Sequence, residues 1–123
     1  MQIKCHECGL RHRVAAVAAP ISKDFQAVRN FLGSYIGWRL TREELPGLLI
    51  VKIGGRIVGC VGAMRTSKNA FYLNRLKVAQ AFRRQGLAEL LLRKAMQQAR
   101  RFGARRAYAV TLLENGGDYL VRK

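Results

Sequence analysis

Apolar positions along this chain alternate between a period of about two and a period near 3.6, and each switch marks an element. Residues 13–19 are short, largely apolar and end at Pro20, the pattern of a first strand. Ser22 is placed to cap a helix carrying Phe25, Val28, Leu32, Tyr35 and Ile36 on one side, with Gly33 and Gly37 interrupting it. Thr41 and Glu44 have the spacing of a capping box over a short turn that Pro46 and Gly47 stop. Two runs, 48–53 and 56–64, flank Gly54-Gly55 and predict a hairpin with a tight turn. Residues 66–69 are a further polar turn, and 71–79 alternate as the next strand. From 87 to 102 the apolar residues Ala88, Leu91, Leu92, Ala95, Ala99 and Phe102 recur at helical spacing, and Gly103 ends the helix. Residues 107–113 form the last strand candidate, and Asn115, Gly116 and Gly117 make a turn leading towards a final helix. The expected class is α/β: a single domain with a mixed sheet in the order β-α-β-β-β-α-β-α, short at its C-terminus.

Composition narrows this picture little, but charge changes it. At 123 residues, half of them hydrophobic and two of them proline, the chain has material for one packed domain. No apolar run approaches the roughly 18–20 residues of a membrane span, so no membrane partner is expected. The N-terminus lacks the pattern of a secretory signal, and three cysteines make no disulfide framework, so the expected location is cytoplasmic. Against this ordinary background stands a formal charge of +16, from 23 Lys and Arg against 7 Asp and Glu. Residues 1–62 hold nine basic and four acidic residues, and residues 63–123 hold fourteen and three, an excess of +5 and +11. Such a surface attracts polyanions, which makes nucleic acid a candidate partner; a merely solvated basic face is the plain alternative.

The stretch with most chemistry joins the 71–79 strand to the long helix: Leu76-Lys77-Val78-Ala79-Gln80-Ala81-Phe82-Arg83-Arg84-Gln85-Gly86-Leu87-Ala88. A helix N-terminus offers free backbone N–H groups and the positive end of the helix dipole, and here two arginines stand beside it. Gly86 allows close approach of an anion to the backbone, and Ala88 keeps the first turn small. Arg83-Arg84-Gln85-Gly86-Leu87-Ala88 resembles the Gln/Arg-x-x-Gly-x-Gly/Ala fingerprint of the GCN5-related N-acetyltransferases. The order of elements over residues 13–123 is similar to that family as well.

The resemblance implies acetyl-CoA as co-substrate and transfer of its acetyl group directly to an amine. It implies that backbone N–H groups between Arg84 and Ala88, including those of Gln85, Gly86 and Leu87, cradle the diphosphate, with Arg83 and Arg84 adding charge. Leu76, Lys77 and Val78 would pair with the pantetheine arm as a strand does, and the Val78 N–H would polarise the thioester carbonyl. Asn115 falls where relatives contact the cofactor; a turn residue before Gly-Gly is the other reading. Tyr119 lies where relatives place the tyrosine that protonates the departing thiolate, and a packing tyrosine is its other reading. The strand 71–79 departs from the family in carrying no Asp or Glu to act as base. A strongly positive site would itself lower the pKa, ~10.4 in water, of a bound alkylammonium. Glu114 is the first carboxylate to consider as a base. Relatives continue with two further strands beyond this point, so two readings stand: a minimal or truncated member, or a homodimer in which a second copy completes the open sheet edge.

Residues 1–12 read as an N-terminal extension ahead of the domain at 13–123. Cys5-His6-Glu7-Cys8-Gly9 with His12 has the spacing of one zinc knuckle, but supplies three of the four ligands that zinc prefers. Zinc at Cys5, Cys8 and His12 and a plain extension with two free thiols both stand. Cys60, within an apolar strand, reads as a core thiol. Two functions are therefore carried forward: an acetyl-CoA-dependent N-acyltransferase, with a nucleic-acid-linked amine or a protein lysine or N-terminus as candidate acceptors, and a non-catalytic basic nucleic-acid-binding module with a zinc knuckle.

Overall fold

Residues 2–14, 17–36, 40–110 and 120–122 are described by the computed structural model. In chain order the described strands and α-helices are β1 (Gln2–Lys4), β2 (Arg11–Arg13), β3 (Val17–Ala18), α1 (Phe25–Ile36), β4 (Leu48–Ile53), β5 (Arg56–Ser67), β6 (Ala70–Val78), α2 (Leu87–Arg101), β7 (Arg106–Val110) and β8 (Leu120–Arg122). Strands β3 to β8 form one sheet in sequence order, and β1 and β2 form a separate hairpin. All pairings are antiparallel except β6 with β7. That parallel pair requires a crossover, and α2 supplies it.

The sheet is covered on both faces, which is why Leu48–Val51 of β4 read as a continuous apolar run rather than an alternating one. On one face Leu87, Leu91, Leu92 and Ala95 of α2 pack with Leu49, Val51, Val58, Val61, Leu73 and Val78. Gly59 makes the contact close: a Cβ there would stand 3.0 Å from Leu91 Cδ1. On the other face Val28 and Leu32 of α1, with Leu40 and Leu45, cover Leu48, Ile50 and Cys60. The helical stripe expected over 87–102 is the buried face of α2, except that Phe102 lies past the last turn and is exposed.

The expected hairpin is present with its Gly54-Gly55 turn, both glycines at positive φ, although β5 runs three residues further than its apolar pattern, to Ser67. Thr41 and Glu44 form their capping box: the Thr41 N–H donates to Glu44 Oε2 at 2.7 Å. Ser22, expected as a helix cap, instead starts a 3-10 turn, and the capping is done by Asp24, which accepts from the Ile21 N–H at 2.8 Å. That bond, and then the Lys52 ammonium at 3.0 Å, hold the Asp24 carboxyl below the usual carboxylate range. The stability it contributes is present above pH ~3.9 and is lost as pH falls through its lowered folded value.

The residues read as an N-terminal extension pack onto the domain: Ile3 and Cys5 are buried in the α2-side core, and Arg13 belongs to β2, opposite Gln2. The final helix expected after Asn115, Gly116 and Gly117 is corrected at Leu120–Arg122, which pair antiparallel with β7 from Val110 to Tyr108. An exposed strand edge offers unpaired N–H and C=O groups, and three residues that satisfy them gain more than they could from an isolated helical turn. Residues 111–119, including the end of the strand expected to Leu113, lie outside the described residues.

Leu91 is fully buried at the centre of the α2 contact. Leu91→Ala should lower unfolding stability by about 2–5 kcal/mol in urea denaturation, the range for a buried leucine whose site cannot collapse.

Candidate active site

The end of β6 is where the chemistry gathers. The β6–β7 ladder runs from Ala70 and Arg106 to Leu73 and Ala109, and among the described residues the rest of β6 pairs only with β5. Between Cys60↔Lys77 and Gly62↔Asn74 the register gains one residue on β6. Arg75 takes up this bulge at φ 55°, a conformation that non-glycine residues seldom adopt. Gly62 leaves the room beneath it: a Cβ there would meet Asn74 Oδ1 at 2.5 Å, Leu48 Cδ2 at 3.0 Å and Arg75 Cγ at 3.2 Å. The bulge thus sets Asn74 and Arg75 over the same glycine. Glu44 holds Arg75 there, at 3.1 Å between Nη2 and Oε1, and also accepts from the Thr41 hydroxyl at 3.2 Å.

Beyond the bulge, the Ala79 N–H donates back to Val58 O on β5 at 2.8 Å. Strand alternation then turns the N–H and C=O of Val78 to the opposite side of β6, the side without a described ladder partner. Its carbonyl accepts from Arg83 Nε at 2.8 Å. Lys77 projects towards α1, where its ammonium donates to Phe31 O at 2.7 Å and stands over the Phe31 ring at 5.2 Å. Gly33 breaks α1 at φ 86°, ψ 177°, and such a break frees carbonyls of the preceding turn for a donor of this kind. Leu76 is partly buried against the α2-side core.

The chain then makes a 3-10 turn over Gln80–Phe82, leaves it extended at Arg83, and takes a left-handed conformation at Arg84, φ 64°. A non-glycine residue held there costs on the order of 1–3 kcal/mol and persists where its surroundings enforce it. Gly86, at φ 87°, is the N-cap of α2 and has no side-chain cap. The amides of the first turn therefore lack an intrahelical acceptor, and the Leu90 N–H is the first to bond back, to Gly86 O at 3.0 Å. Leu87 is buried in the core, Ala88 is partly buried, and Arg84 is exposed. The six residues of the sequence motif thus divide: Leu87 anchors the helix, Arg83 closes the loop onto Val78, and Gln85 turns its carboxamide towards Lys4. What remains facing outward is a row of backbone amides flanked by an arginine, a site suited to a phosphate group.

Asn115, Tyr119 and Glu114 lie outside the described residues. The carboxylate that reaches β6 from elsewhere is Glu44, which the sequence shows as a capping residue; its pairing with Arg75 spans 31 positions and has no sequence signature. The contacts of Lys4 and His6 with the 81–85 loop are likewise invisible in the sequence.

Cys5 and Cys8 share one turn. Cys5 is shifted below the ordinary thiol value, chiefly by the backbone N–H of Cys8, then by the Cys8 thiol. Both line a cleft of about 390 Å³ with Glu7, His12, Arg56 and Phe82, but the His12 ring is engaged edge-on with Phe82 at 5.9 Å. Among the described residues no three His, Cys, Asp or Glu side chains stand together as a metal set, so His12 does not complete the knuckle. Cys60 is different: burial pushes its thiol up to about 12, with Arg75 opposing weakly.

The family model of the GNAT acetyltransferases matches residues 14–117, and the chain belongs to that family. Rv2747 from Mycobacterium tuberculosis, solved with CoA, superposes with a TM-score of 0.68 at 14% identity over 80% of this chain and 65% of its own, a little under two thirds of that protein's length. Diaminobutyrate acetyltransferase EctA from Paenibacillus lautus, solved with its substrate and coenzyme A, gives 0.68 at 24% identity over 85% of this chain and 69% of its own. A GNAT acetyltransferase from Brucella melitensis with acetyl-CoA gives 0.63 at 16% identity over 82% and 77%. No curated protein sequence matches the chain. No described helix is long and apolar enough to cross a membrane.

A thiol held near 12 stays protonated and shielded at pH 8. Iodoacetamide should therefore label exposed Cys8 in the folded protein and spare Cys60 until denaturant is added. Because the Cys60 value is raised, its contribution to stability is complete below the ordinary ~8.5 and is lost as pH rises towards about 12.

Proposed function

We propose that the chain is an acetyl-CoA-dependent N-acetyltransferase whose acceptor amine is carried on a polyanion. The observation that carries the first part is the junction at 76–88: a strand edge with no ladder partner among the described residues, its Val78 carbonyl held by Arg83, leads through one closed loop to uncapped amides at a helix N-terminus. A pantetheine arm has the hydrogen-bonding pattern to continue the sheet beside Leu76, Lys77 and Val78. The diphosphate then falls at the amides of Arg84, Gln85, Gly86, Leu87 and Ala88, with Arg84 adding charge.

In this reading the neutral amine attacks the thioester carbonyl carbon. The Val78 N–H, turned away from β5, receives the developing oxyanion. Collapse of the intermediate breaks the C–S bond, the amine loses a proton, and the CoA thiolate gains one; Tyr119 is the assigned donor. Glu44 already accepts from Thr41 and Arg75, so the fold uses it to hold the bulge rather than as a base. Deprotonation of the acceptor then rests on the positive field around it, with Glu114 the carboxylate to examine.

The second part rests on charge placement. Arg93, Lys94, Arg100, Arg101, Arg105 and Arg106 are all exposed on α2 and the start of β7, and no Asp or Glu lies between Glu89 and Glu114. A diphosphate alone needs far less than this, and the repeated phosphates of a nucleic acid match it. A catalytically silent nucleic-acid module would account for the charge but not for a strand edge without a described ladder partner leading to uncapped amides.

Two measurements test the reading. Gly86→Trp places a bulky side chain at φ 87°, on the diphosphate track; acetyl-CoA affinity by calorimetry should fall at least about a hundredfold, some 2.7 kcal/mol. Unchanged affinity would remove the loop from the cofactor site. With aminoacylated tRNA as acceptor, kcat/KM should exceed that for the free amino acid amide and fall at least about tenfold between 50 and 200 mM salt, as displaced counterions require. Equal, salt-independent rates on both acceptors would separate the basic face from catalysis.

A further inference from the structure

The β1–β2 hairpin precedes the first residue matched by the family model, residue 14, yet it is bonded to the diphosphate loop by four hydrogen bonds. Gln85 pairs with the backbone of Lys4 as a neighbouring strand would: the Lys4 N–H donates to Gln85 Oε1 at 2.6 Å, and Gln85 Nε2 donates to Lys4 O at 2.6 Å. His6 makes the other two. Its backbone N–H donates to Ala81 O at 2.7 Å, and its ring Nε2 lies 2.9 Å from Arg83 O. A carbonyl can only accept, so the tautomer is assigned with the proton on Nε2. Gln85 Nε2, 3.4 Å from that same ring nitrogen, then has its acceptor in Lys4 O instead.

These bonds set the direction of the peptide planes around the strained residue. In a trans peptide the C=O of one residue and the N–H of the next point opposite ways. Arg83 O is held towards His6, so the N–H of Arg84 is turned away from the hairpin. Gln85, fixed through its side chain to Lys4, closes the other flank of Arg84. The hairpin itself is seated by Ile3, 1% exposed in the main core, and its turn is closed by Cys5 N–H to Leu10 O at 2.9 Å and Gly9 N–H to Cys5 O at 2.8 Å.

We propose that His6 and Gln85 are positioning residues for the cofactor: through them, the N-terminal hairpin holds the backbone of residues 83–86 in its anion-binding conformation. This rests on the reading that the loop binds the diphosphate. Neither side chain touches the cofactor in this role, so the hairpin contributes to CoA affinity without contributing to turnover.

The test compares His6→Ala, His6→Gln and Gln85→Ala with the parent chain, each first shown to be folded by its thermal transition. CoA contains the diphosphate and pantetheine does not, so inhibition constants for both are measured against acetyl-CoA. His6→Ala and Gln85→Ala should each raise KM for acetyl-CoA and Ki for CoA about tenfold, the equivalent of one hydrogen bond of about 1.4 kcal/mol. The pantetheine Ki and the kcat of His6→Ala should change less than about twofold. His6→Gln, which keeps a side-chain N–H for Arg83 O, should recover most of the affinity. Unchanged CoA affinity in both alanine variants, beside its loss in Gly86→Trp, would overturn the positioning role and leave the loop's own role standing. Equal losses for CoA and pantetheine would also overturn it, as general loosening of the fold. Unchanged CoA affinity in Gly86→Trp would overturn the reading of the loop, and the proposal with it.

Discussion

The parallel pairing of β6 with β7 cannot be closed by a tight turn, so the chain must leave the end of β6, cross one face of the sheet and return to start β7 alongside. α2 is that crossing, and it fits because Gly59 lets Leu91 approach β5 and because Leu87, Leu91, Leu92, Ala95 and Ala99 are all buried beneath it. Two consequences follow from the same geometry. The N-terminus of α2 is delivered to the end of β6, bringing uncapped amides and a positive dipole to a strand terminus. The described ladder with β7 also stops at Leu73, leaving the last residues of β6 with a side that faces away from β5.

The bulge at Arg75 belongs to the same arrangement. One extra residue in β6 changes which side each backbone group faces, and it is held by an ion pair to Glu44 rather than by local sequence. Half-buried charges of this kind are costly when only one partner is present, so the pair is better understood as fixing the position of the bulge than as a source of stability. The 42–47 turn, α1 and β6 meet there: Arg75 reaches Glu44, and Lys77 reaches the carbonyl of Phe31 beside the break at Gly33.

The loop at 83–86 is a second place where distant chain enforces local geometry. Arg84 sits in a left-handed conformation without being glycine, and the hairpin of residues 2–13 grips the carbonyls and carboxamide on either side of it. The conformation of this loop is thus held jointly by the family-matched segment and by residues that lie before it.

Elements whose signal is local were legible in the chain itself. The period of α2, the Gly54-Gly55 turn, the capping box of Thr41 and Glu44, and the run Arg83–Ala88 at a strand-to-helix junction each depend on neighbours within a few residues. Charge, too, is a property of composition and needed no fold. What the sequence could not show depends on partners far along the chain. Leu120–Arg122 became a strand because β7 had an edge to satisfy, Glu44 met Arg75 because two elements pack on one face of the sheet, and the His12 ring stacked edge-on with Phe82. Residues 2–13 carry a spacing that suggests a metal knuckle, and only packing against the 81–85 loop turned them into a brace. Local propensity can be read one element at a time; hydrogen bonds spanning some eighty residues exist only once the whole sheet has brought their ends together.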